Sequence, residues 1–487
     1  MTTPDFPAWR GQFASQLRRL RTTFGESLHK LEALAGAWIP RWRLAQQEQK
    51  EHSRDRCWNL RLVFWTFLWQ VSQPGASCRE AIDQAQALCR RLGRRRPSNK
   101  NSPYCQARAA LPLERLDAIA EAIVTEAQAG LSPKDLWCGH RIRVADATTL
   151  TLPDTPANQA AYPQQSSQQP GCGFPLLRLL GLFCLATGMF IAWTTGHWRQ
   201  SELALLQLMW EHLRPGDVLL GDRLFSAWAV LAQCLRGGIH GVFRLHGARK
   251  ADFRQGKRLG RYDRLVQWRK PAACPPYLTA EQWQALPNEL TVRLVCCQVE
   301  IRGWRTRRVM LVTTLLDPKR YPLEQLSQLY QRRWRMELSL RDLKTTLQME
   351  QLSCKTPANV QRELRMHLLV HNLVRRLMLE AARRHRVPLE RVSFAGALAA
   401  ARQFSETLLQ VNTQRQRRQL MEDLYQVLAT DLVPERPGRR EPRAVKRRPK
   451  PYPLLTCHRH HYREIPHKSR YWQGGSHPRK TARKSCP

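Results

Sequence analysis

The stretch that most constrains this chain is residues 330–344, with the sequence YQRRWRMELSLRDLK. Its strong helix formers, with no Gly and no Pro, predict a helix. At about 100° per residue, one side of this helix carries a single carboxylate, Glu337, beside Tyr330, Arg333 and Lys344. A neighbouring apolar stripe allows the helix to pack on a core. The stripe consists of Met336, Leu340, Leu343 and Leu347.

One acid held among cations suits a metal-dependent enzyme that acts on a polyanion. The same pattern also fits an ordinary solvated face with ion pairs four residues apart. On the helix pattern alone, the solvated face is the commoner explanation. The choice between the two depends on the rest of the sequence.

The charge of the chain favours a nucleic-acid partner. Its 487 residues include 79 Lys and Arg against 39 Asp and Glu, a formal net charge of +40. An excess of this size is typical of proteins that bind nucleic acid. An anionic membrane surface is the other partner that such a charge suits, but no basic amphipathic anchor stands out. The uncharged run at 179–195 is interrupted by Gly188 and predicts two buried strands, not a membrane span.

The cysteines and histidines indicate neither a disulfide scaffold nor a zinc finger. The 14 cysteines include no C-x-x-C pair, and the N-terminal residues lack the pattern of a secretory signal. Both observations predict a protein of a reducing cytosol. The His-rich group at 457–461 fits no standard finger spacing, so an incidental or charged cluster is the preferred interpretation.

Several ordered blocks of sequence resemble one enzyme family. The spacing Tyr-x2-Arg-x3-Glu-x6-Lys is met at all four positions of the 330–344 stretch. The other blocks are VADATT at 144–149, GDVLLGDRLF at 216–225, LKTTLQMEQLSCKTP at 343–357 and HLLVHNLVR at 367–375. Together they resemble the insertion-sequence-four family of bacterial DDE transposases over roughly residues 55–460.

The resemblance implies that Asp146, Asp222 and Glu337 are the catalytic residues and the metal ligands. They would hold Mg²⁺ or Mn²⁺, two ions per active site, since such ions prefer oxygen ligands and promote phosphodiester chemistry. For either aspartate alone, capping a turn is the simpler explanation. Their order and the family match favour metal binding.

The resemblance also assigns DNA-binding roles. Tyr330, Arg333 and Lys344 would hold DNA phosphates, which suits the planar fork of Arg and the point charge of Lys. An aromatic side chain would stack on an extruded base. The candidates, each with a core role as the default, are Trp268, Trp304 and Trp334.

The three acids are expected to lie together, and three other aspartates are expected to lie apart from them. The acids must approach closely because two metal ions in such a site are only about 4 Å apart. Without metal, their charges should repel one another. The aspartates expected outside this cluster are Asp154, Asp217 and Asp342.

The predicted fold class is α/β, because strand-like and helix-like segments alternate. A strand at 141–152 is predicted to end near Asp146, and a short strand delivers Asp222 at its end. The order strand with acid, hairpin, helix, strand with acid resembles a ribonuclease-H-like core. The expected parts are a helical N-terminal DNA-binding region at 1–138, the first part of the core at 139–245, a β-rich insertion subdomain at 246–310, the second part of the core with the catalytic helix at 311–360, a helical C-terminal region at 361–433 and a basic tail, predicted to be disordered, at 434–487.

The function implied by the resemblance is metal-dependent cut-and-paste transposition. Each DNA end would be nicked, closed into a hairpin, reopened and joined to target DNA. The expected partners are the terminal inverted repeats, target DNA and a second copy in a homodimer, at the nucleoid of a bacterial cytoplasm and without a membrane. Two alternatives remain: a ribonuclease-H-like nuclease that does not transpose, and an inactive DNA-binding remnant.

Overall fold

The computed structural model describes residues 29–44, 57–169, 171–249, 251–298, 308–411 and 413–434. The tail from residue 435 onward, its His-rich group and Trp304 lie outside these ranges. None of the helices within them combines the length and the apolar character that a membrane crossing requires.

The described chain starts with helices, as the sequence predicts for this part. They are α1 (Lys30–Ala35), α2 (Leu60–Ser72), α3 (Cys78–Arg91), α4 (Asn101–Ala109) and α5 (Leu113–Ala129). Their starts follow from local sequence. The side chain of Asn59 accepts a hydrogen bond from the backbone N–H of Leu62, and Ser77 forms a reciprocal capping box with Glu80.

A mixed sheet forms the centre of the molecule. Its nine strands are β1 (Ile142–Thr151), β2 (Leu176–Cys184), β3 (Phe190–His197), β4 (Val218–Gly221), β5 (His240–Arg244), β6 (Lys257–Gly260), β7 (Asp263–Arg269), β8 (Glu289–Gln298) and β9 (Arg308–Thr313). They lie in the order β3-β2-β1-β4-β5-β9-β8-β7-β6. The first three strands are antiparallel neighbours, and β4 and β5 run parallel to β1.

The strands of the predicted insertion extend this same sheet. β9 pairs with β5, β8 pairs with β9, and β7 and β6 follow outward, all antiparallel. The segment at 246–310 is therefore rich in strands, but its strands continue the central sheet and do not form a second one.

Helices cover both faces of the sheet. The remaining helices are α6 (Pro156–Ala161), α7 (Glu202–Gln207), α8 (Trp228–Arg236), α9 (Ala280–Gln284), α10 (Leu323–Arg332), α11 (Trp334–Arg341), α12 (Pro357–His385), α13 (Phe394–Gln410) and α14 (Gln414–Thr430). Side chains of a strand alternate between faces. Val144 accordingly joins the core under α10 to α14, whereas Ala145 joins the core under α7 and α8.

The predicted helix at 330–344 exists, but it is not one continuous α-helix. α10 ends at Arg332, and α11 is followed by a single π-helical turn, Asp342–Thr346. The interruption is a local tightening: the N–H of Arg333 donates to the carbonyl of Tyr330, and that of Met336 donates to the carbonyl of Arg333, both three residues back. The apolar stripe is confirmed, since all four of its residues are buried.

The prediction that β1 ends near Asp146 is wrong. The strand runs on to Thr151 because β2 pairs with it throughout, up to the pair Thr151 and Leu176. The parallel neighbour β4 ends earlier, at Gly221. Asp146 therefore lies inside β1, at the level where its parallel partner stops.

Candidate active site

The sheet register sets Asp146 and Asp222 side by side. Val144 and Leu220 form the last pair of the parallel ladder between β1 and β4. Each aspartate follows its paired residue by two positions, so both aspartates share the side-chain direction of Val144 and Leu220. That direction leads to the core that also contains Met336 of α11. Both acids consequently lie on the sheet face that α11 covers.

A glycine on β2 lies opposite Asp146. Gly181 pairs with Asp146 across the antiparallel ladder. A Cβ at Gly181 would lie 2.5 Å from Cε1 of Phe190 and 3.5 Å from Cε of Met336. A side chain here would therefore clash with the Phe190 ring, while its Cβ would make an ordinary contact with Met336 of α11. The glycine leaves room for Phe190 next to the position of Asp146.

Glu337 on α11 is linked to Asp146 through one guanidinium. Nη2 of Arg333 donates to Oε1 of Glu337 at 2.6 Å, and Nη1 lies 3.8 Å from Oδ2 of Asp146. The Arg333 side chain is 16% exposed and that of Asp146 is 20% exposed, so this charge pairing is largely shielded from water. Arg333 therefore lies between a strand acid and the helix acid.

Asp146 is the carboxyl group most affected by these surroundings. Burial raises its pKa to about 6, and the charges of Glu337 and Asp222 add to the rise. The guanidinium of Arg333 and the backbone N–H of Ala147 oppose it. The expected repulsion is thus present at Asp146, and Arg333 partly offsets it. The charges of both other acids reach this one carboxyl group.

The acids are not already arranged as a metal site. Among the residues the structure describes, no three His, Cys, Asp or Glu side chains are grouped closely enough to hold a metal ion. Arg333 supplies the positive charge between Asp146 and Glu337 instead. The donors nevertheless suit a hard divalent cation, because carboxylate oxygens are the ligands that such ions prefer.

The predicted DNA-binding residues divide into two places. Tyr330 lies beside the acids: burial raises the pKa of its hydroxyl, Arg333 and Arg244 oppose the rise, and Asp222 adds to it. Lys344 lies in the π-helical turn, where its Nζ is 3.5 Å from Oε1 of Glu350.

The three aspartates expected outside the cluster all have other partners. The buried Asp217, at the start of β4, pairs with Arg143 at 3.2 Å. Asp342 pairs with Arg375 at 3.3 Å. Asp154 accepts a hydrogen bond from Gln159 at 2.8 Å. None of the three is among the charges with the largest effects on the pKa of Asp146.

Two residues near the acids were not among the predicted ones. The pKa of Glu202, at the start of α7, is raised by burial and then by the charge of Asp222. Arg244 ends β5, the strand beside β4, and its charge acts on Tyr330. The sequence signal for Arg244 is its place at the end of the next parallel strand, where side chains of neighbouring strands meet. For Glu202 the sequence offers only its position after the N-cap Ser201.

The described tryptophan candidates differ in exposure. Trp268 packs against the core on the opposite face of the sheet, and the guanidinium of Arg249 lies 4.2 Å from its ring centroid. Trp334 on α11 is 46% exposed. A core role therefore describes Trp268 better than it describes Trp334.

Known proteins match this chain over most of its length. A family described as "Transposase DDE domain" matches residues 137–373. "Transposase InsG for insertion sequence element IS4" of Escherichia coli (strain K12) is 27% identical over 406 residues, which cover 82% of this chain and 88% of that protein. Among solved structures, a piggyBac transposase in a synaptic complex with hairpin DNA aligns with a TM-score of 0.39 and 9% identity, over 84% of this chain and 86% of that one.

The family match spans β1, β4 and α11, so all three candidate acids lie within it. The relative extends the similarity well beyond that segment. The resemblance seen in the sequence blocks is confirmed. The chain carries a transposase DDE domain and is similar over 82% of its length to the transposase of an IS4 element, and it is a DNA transposase.

Proposed function

We propose that this transposase moves its own insertion sequence by metal-dependent cutting and pasting, with Asp146, Asp222 and Glu337 as its catalytic carboxylates. The observation that carries the proposal is the register between β1 and β4, which brings both aspartates to one level of one sheet face. α11 crosses that face and brings Glu337 to the same place, joined to Asp146 through Arg333.

The arrangement of strands supports a ribonuclease-H-like core. β1 carries Asp146, the β2–β3 hairpin and α7 follow, and β4 delivers Asp222. This is the order of strand, hairpin, helix and strand that the sequence resemblance implies. In our proposal the helices before β1 contribute to recognition of the terminal repeats, and the strands β6 to β8 are an elaboration of the core.

The family implies dependence on a divalent metal, and we infer Mg²⁺ or Mn²⁺, with two ions per active site. When bound, such ions activate an oxygen nucleophile and relieve negative charge on the leaving oxygen. Asp146, Asp222 and Glu337 would hold them. Because Arg333 now neutralises Asp146 and Glu337, it must release at least one of them before they can act as ligands.

A DNA phosphate can replace a carboxylate as the hydrogen-bond partner of Arg333. Its guanidinium can exchange a carboxylate for a phosphate with little loss, since both accept the same paired N–H donors. Tyr330, beside Arg333, and Lys344, one turn beyond α11, would hold neighbouring phosphates. DNA binding thereby frees the acids that the reaction requires.

The reaction steps that we propose are those that the family resemblance implies, and each is an in-line attack on a phosphate. Water nicks each end, and the released 3′-hydroxyl attacks the opposite strand to form a hairpin. Water reopens the hairpin, and the freed end joins target DNA. We infer a homodimer, because two ends must be processed together, and we place the enzyme at the bacterial nucleoid, where a formal charge of +40 favours binding to DNA.

The test compares acids within and outside the proposed site. Glu337→Gln should reduce Mg²⁺-dependent cleavage of a DNA end by roughly 10³-fold or more, because the charge stabilisation by a held cation is worth several kcal/mol. Binding of the same DNA, measured by fluorescence anisotropy, should change little. Asp154→Asn is the matched control, since Asp154 is exposed and lies outside the acid cluster.

The outcome separates the proposal from its alternatives. A folded Glu337→Gln protein that still cleaves would remove Glu337 from the mechanism. Cleavage by the native protein without joining to target DNA would instead identify a nuclease.

A further inference from the structure

A second polar site lies on the opposite side of the catalytic helix from Glu337. Between α11 and α12 there is a cavity of about 530 Å³, within the range of ligand-binding pockets. Arg335 and Ser339 line it, and each is two residues from Glu337 along α11. At about 100° per residue, this places them roughly 160° around the helix from Glu337. The cavity therefore does not belong to the acid site.

Cations outnumber acids in the wall of this cavity, which we call the arginine cavity. Its charged lining residues are Lys134, Asp135, Arg332, Arg335, Arg375, Arg383 and Glu390. Both acids already have partners: Asp135 accepts hydrogen bonds from Ser132, and Glu390 accepts one from Arg335 at 2.7 Å. Arg375 has a counter-ion behind the wall, Asp342 at 3.3 Å, whereas Lys134, Arg332 and Arg383 form no ion pair within 4.0 Å among the described residues.

The arginines of this wall also strain one another electrostatically. Burial lowers the pKa of Arg332 and of Arg375, and the charge of Arg335 acts in the same direction on both. The charge of Glu390 opposes this shift at Arg332, and that of Asp342 opposes it at Arg375. Within the described residues, the Nε atoms of Arg332 and Arg375 have no hydrogen-bond partner. An anion in the cavity would relieve this repulsion. Arg guanidinium groups bind phosphate especially well, through paired N–H donors.

The rest of the wall suits a flat apolar group. Trp137, Leu379 and Leu389 line the cavity, and the Trp137 ring stacks on Tyr321 with 5.7 Å between centroids. An inorganic phosphate alone would leave this apolar wall and most of the volume unfilled. A phosphate joined to an aromatic base matches both parts of the lining.

We propose that the arginine cavity binds a nucleotide, with its phosphate near Arg332, Arg335 and Arg375 and its base against the Trp137 wall. The nucleotide is either free in solution or part of a DNA strand. An occupant would contact α11 from behind, because Arg335, Leu338 and Ser339 belong to that helix. It would also contact Arg375, which already donates to Oγ of Ser339 at 3.0 Å.

The first experiment uses radiolabelled ATP as the probe for a free nucleotide. Equilibrium dialysis of the full chain in EDTA removes any contribution from metal bound at the acids. Arg332→Gln removes a cation of the wall, and Ala186→Trp fills the cavity without removing charge. Arg341→Gln is the matched control, since Arg341 is an exposed cation of α11 that does not line the cavity.

For a free nucleotide, ATP should bind once per chain. Arg332→Gln should weaken binding about tenfold or more, the usual effect of losing one charge-assisted hydrogen bond. Ala186→Trp should weaken binding at least as much, because its side chain takes up the space of the ligand. Arg341→Gln should bind ATP as the native protein does. The Ala186→Trp variant protects the test against a misfolded arginine variant, because it keeps every cation.

The second experiment addresses a nucleotide within DNA. A 5′-phosphorylated single-stranded oligonucleotide, followed by fluorescence anisotropy, should lose affinity in Arg332→Gln and Ala186→Trp relative to Arg341→Gln, and saturating oligonucleotide should displace any bound ATP. If these three variants bind both ATP and the oligonucleotide within twofold of one another, the cavity is not a nucleotide site. That result would leave the roles proposed for the acids untouched.

Discussion

The arginines on the two sides of α11 differ in their carboxylate partners. On one side, Arg333 contacts the carboxylates of Glu337 and Asp146. On the other side, Arg335 has Glu390 as its carboxylate partner, while the nearby Arg332 forms no ion pair within 4.0 Å in the described structure. One helix thus separates an acid side, where Arg333 lies between two carboxylates, from a cavity side, where cations outnumber acids.

This difference indicates what each side can bind. On the acid side, Arg333 occupies the place between Asp146 and Glu337, so metal binding there should be coupled to a new partner for Arg333. On the cavity side, an anion can bind next to Arg332 without displacing an ion pair. The same residue type, arginine, therefore acts as a removable counter-ion on one side and as a binding group on the other.

The largest expected effect concerns the acid side, where the stability contributed by Asp146 should depend on pH. Folding raises the pKa of Asp146 from 3.8 to about 6, so the folded protein binds a proton there more tightly than the unfolded chain does. The stability that Asp146 contributes is greatest at low pH, falls as pH rises from about 4 to about 6, and is constant above that window. At about 1.4 kcal/mol per pKa unit, the loss is up to roughly 3 kcal/mol.

Asp146→Asn removes this dependence. The test measures the free energy of unfolding of both proteins in urea, without metal and DNA. The difference, variant minus native, should increase by up to about 3 kcal/mol as the pH rises from 4 to 7. Asp154→Asn should show no comparable gain. A difference that stays flat across this window would show that Asp146 is not buried among negative charges.

The contrast between Asp217 and Asp222 shows how the sequence can distinguish two aspartates that flank one strand. Both aspartates flank the short buried strand β4, at opposite ends. Asp217 precedes the strand and neutralises the buried Arg143, whereas Asp222 follows it and reaches the face under α11. The direction of a buried strand can be inferred from sequence, and the functional end of a parallel strand is its C-terminal end.

Other features depend on contacts that no local pattern records. Arg333 was predicted to bind DNA. Its contact with Asp146 arises only because the complete fold brings the start of α11 over β1. The interruption at Arg333 arises from two backbone hydrogen bonds whose geometry helix propensity does not determine. The arginine cavity combines Trp137, the Gly188 turn, α11 and α12, which are far apart in sequence. The tail from 435 and Trp304 lie outside the described residues, so their predicted roles stay predictions.

A direct comparison of neighbouring arginines gives the next largest effect. Arg333→Gln removes the counter-ion of the acid side, so Mn²⁺ should bind about tenfold more tightly without DNA, since a charge-assisted contact no longer competes. Arg332→Gln, one residue earlier and on the cavity wall, should leave Mn²⁺ affinity unchanged. Electron paramagnetic resonance of free Mn²⁺ measures both. Equal Mn²⁺ affinities in the two variants would mean that Arg333 does not compete with the metal ion for the carboxylates.

The smallest effect concerns Lys344, which lies beyond α11 and pairs with the exposed Glu350 at 3.5 Å. Lys344→Gln should weaken DNA binding a few-fold and make the log–log salt dependence shallower by about 0.9, the contribution of one phosphate contact. Glu350→Gln is the opposite change: it frees Lys344 from its partner and removes a negative charge, so DNA should bind slightly more tightly. Fluorescence anisotropy across a salt series measures both slopes. If Lys344→Gln leaves the slope unchanged, Lys344 contacts no phosphate, and the DNA-binding side of the helix ends at Arg333.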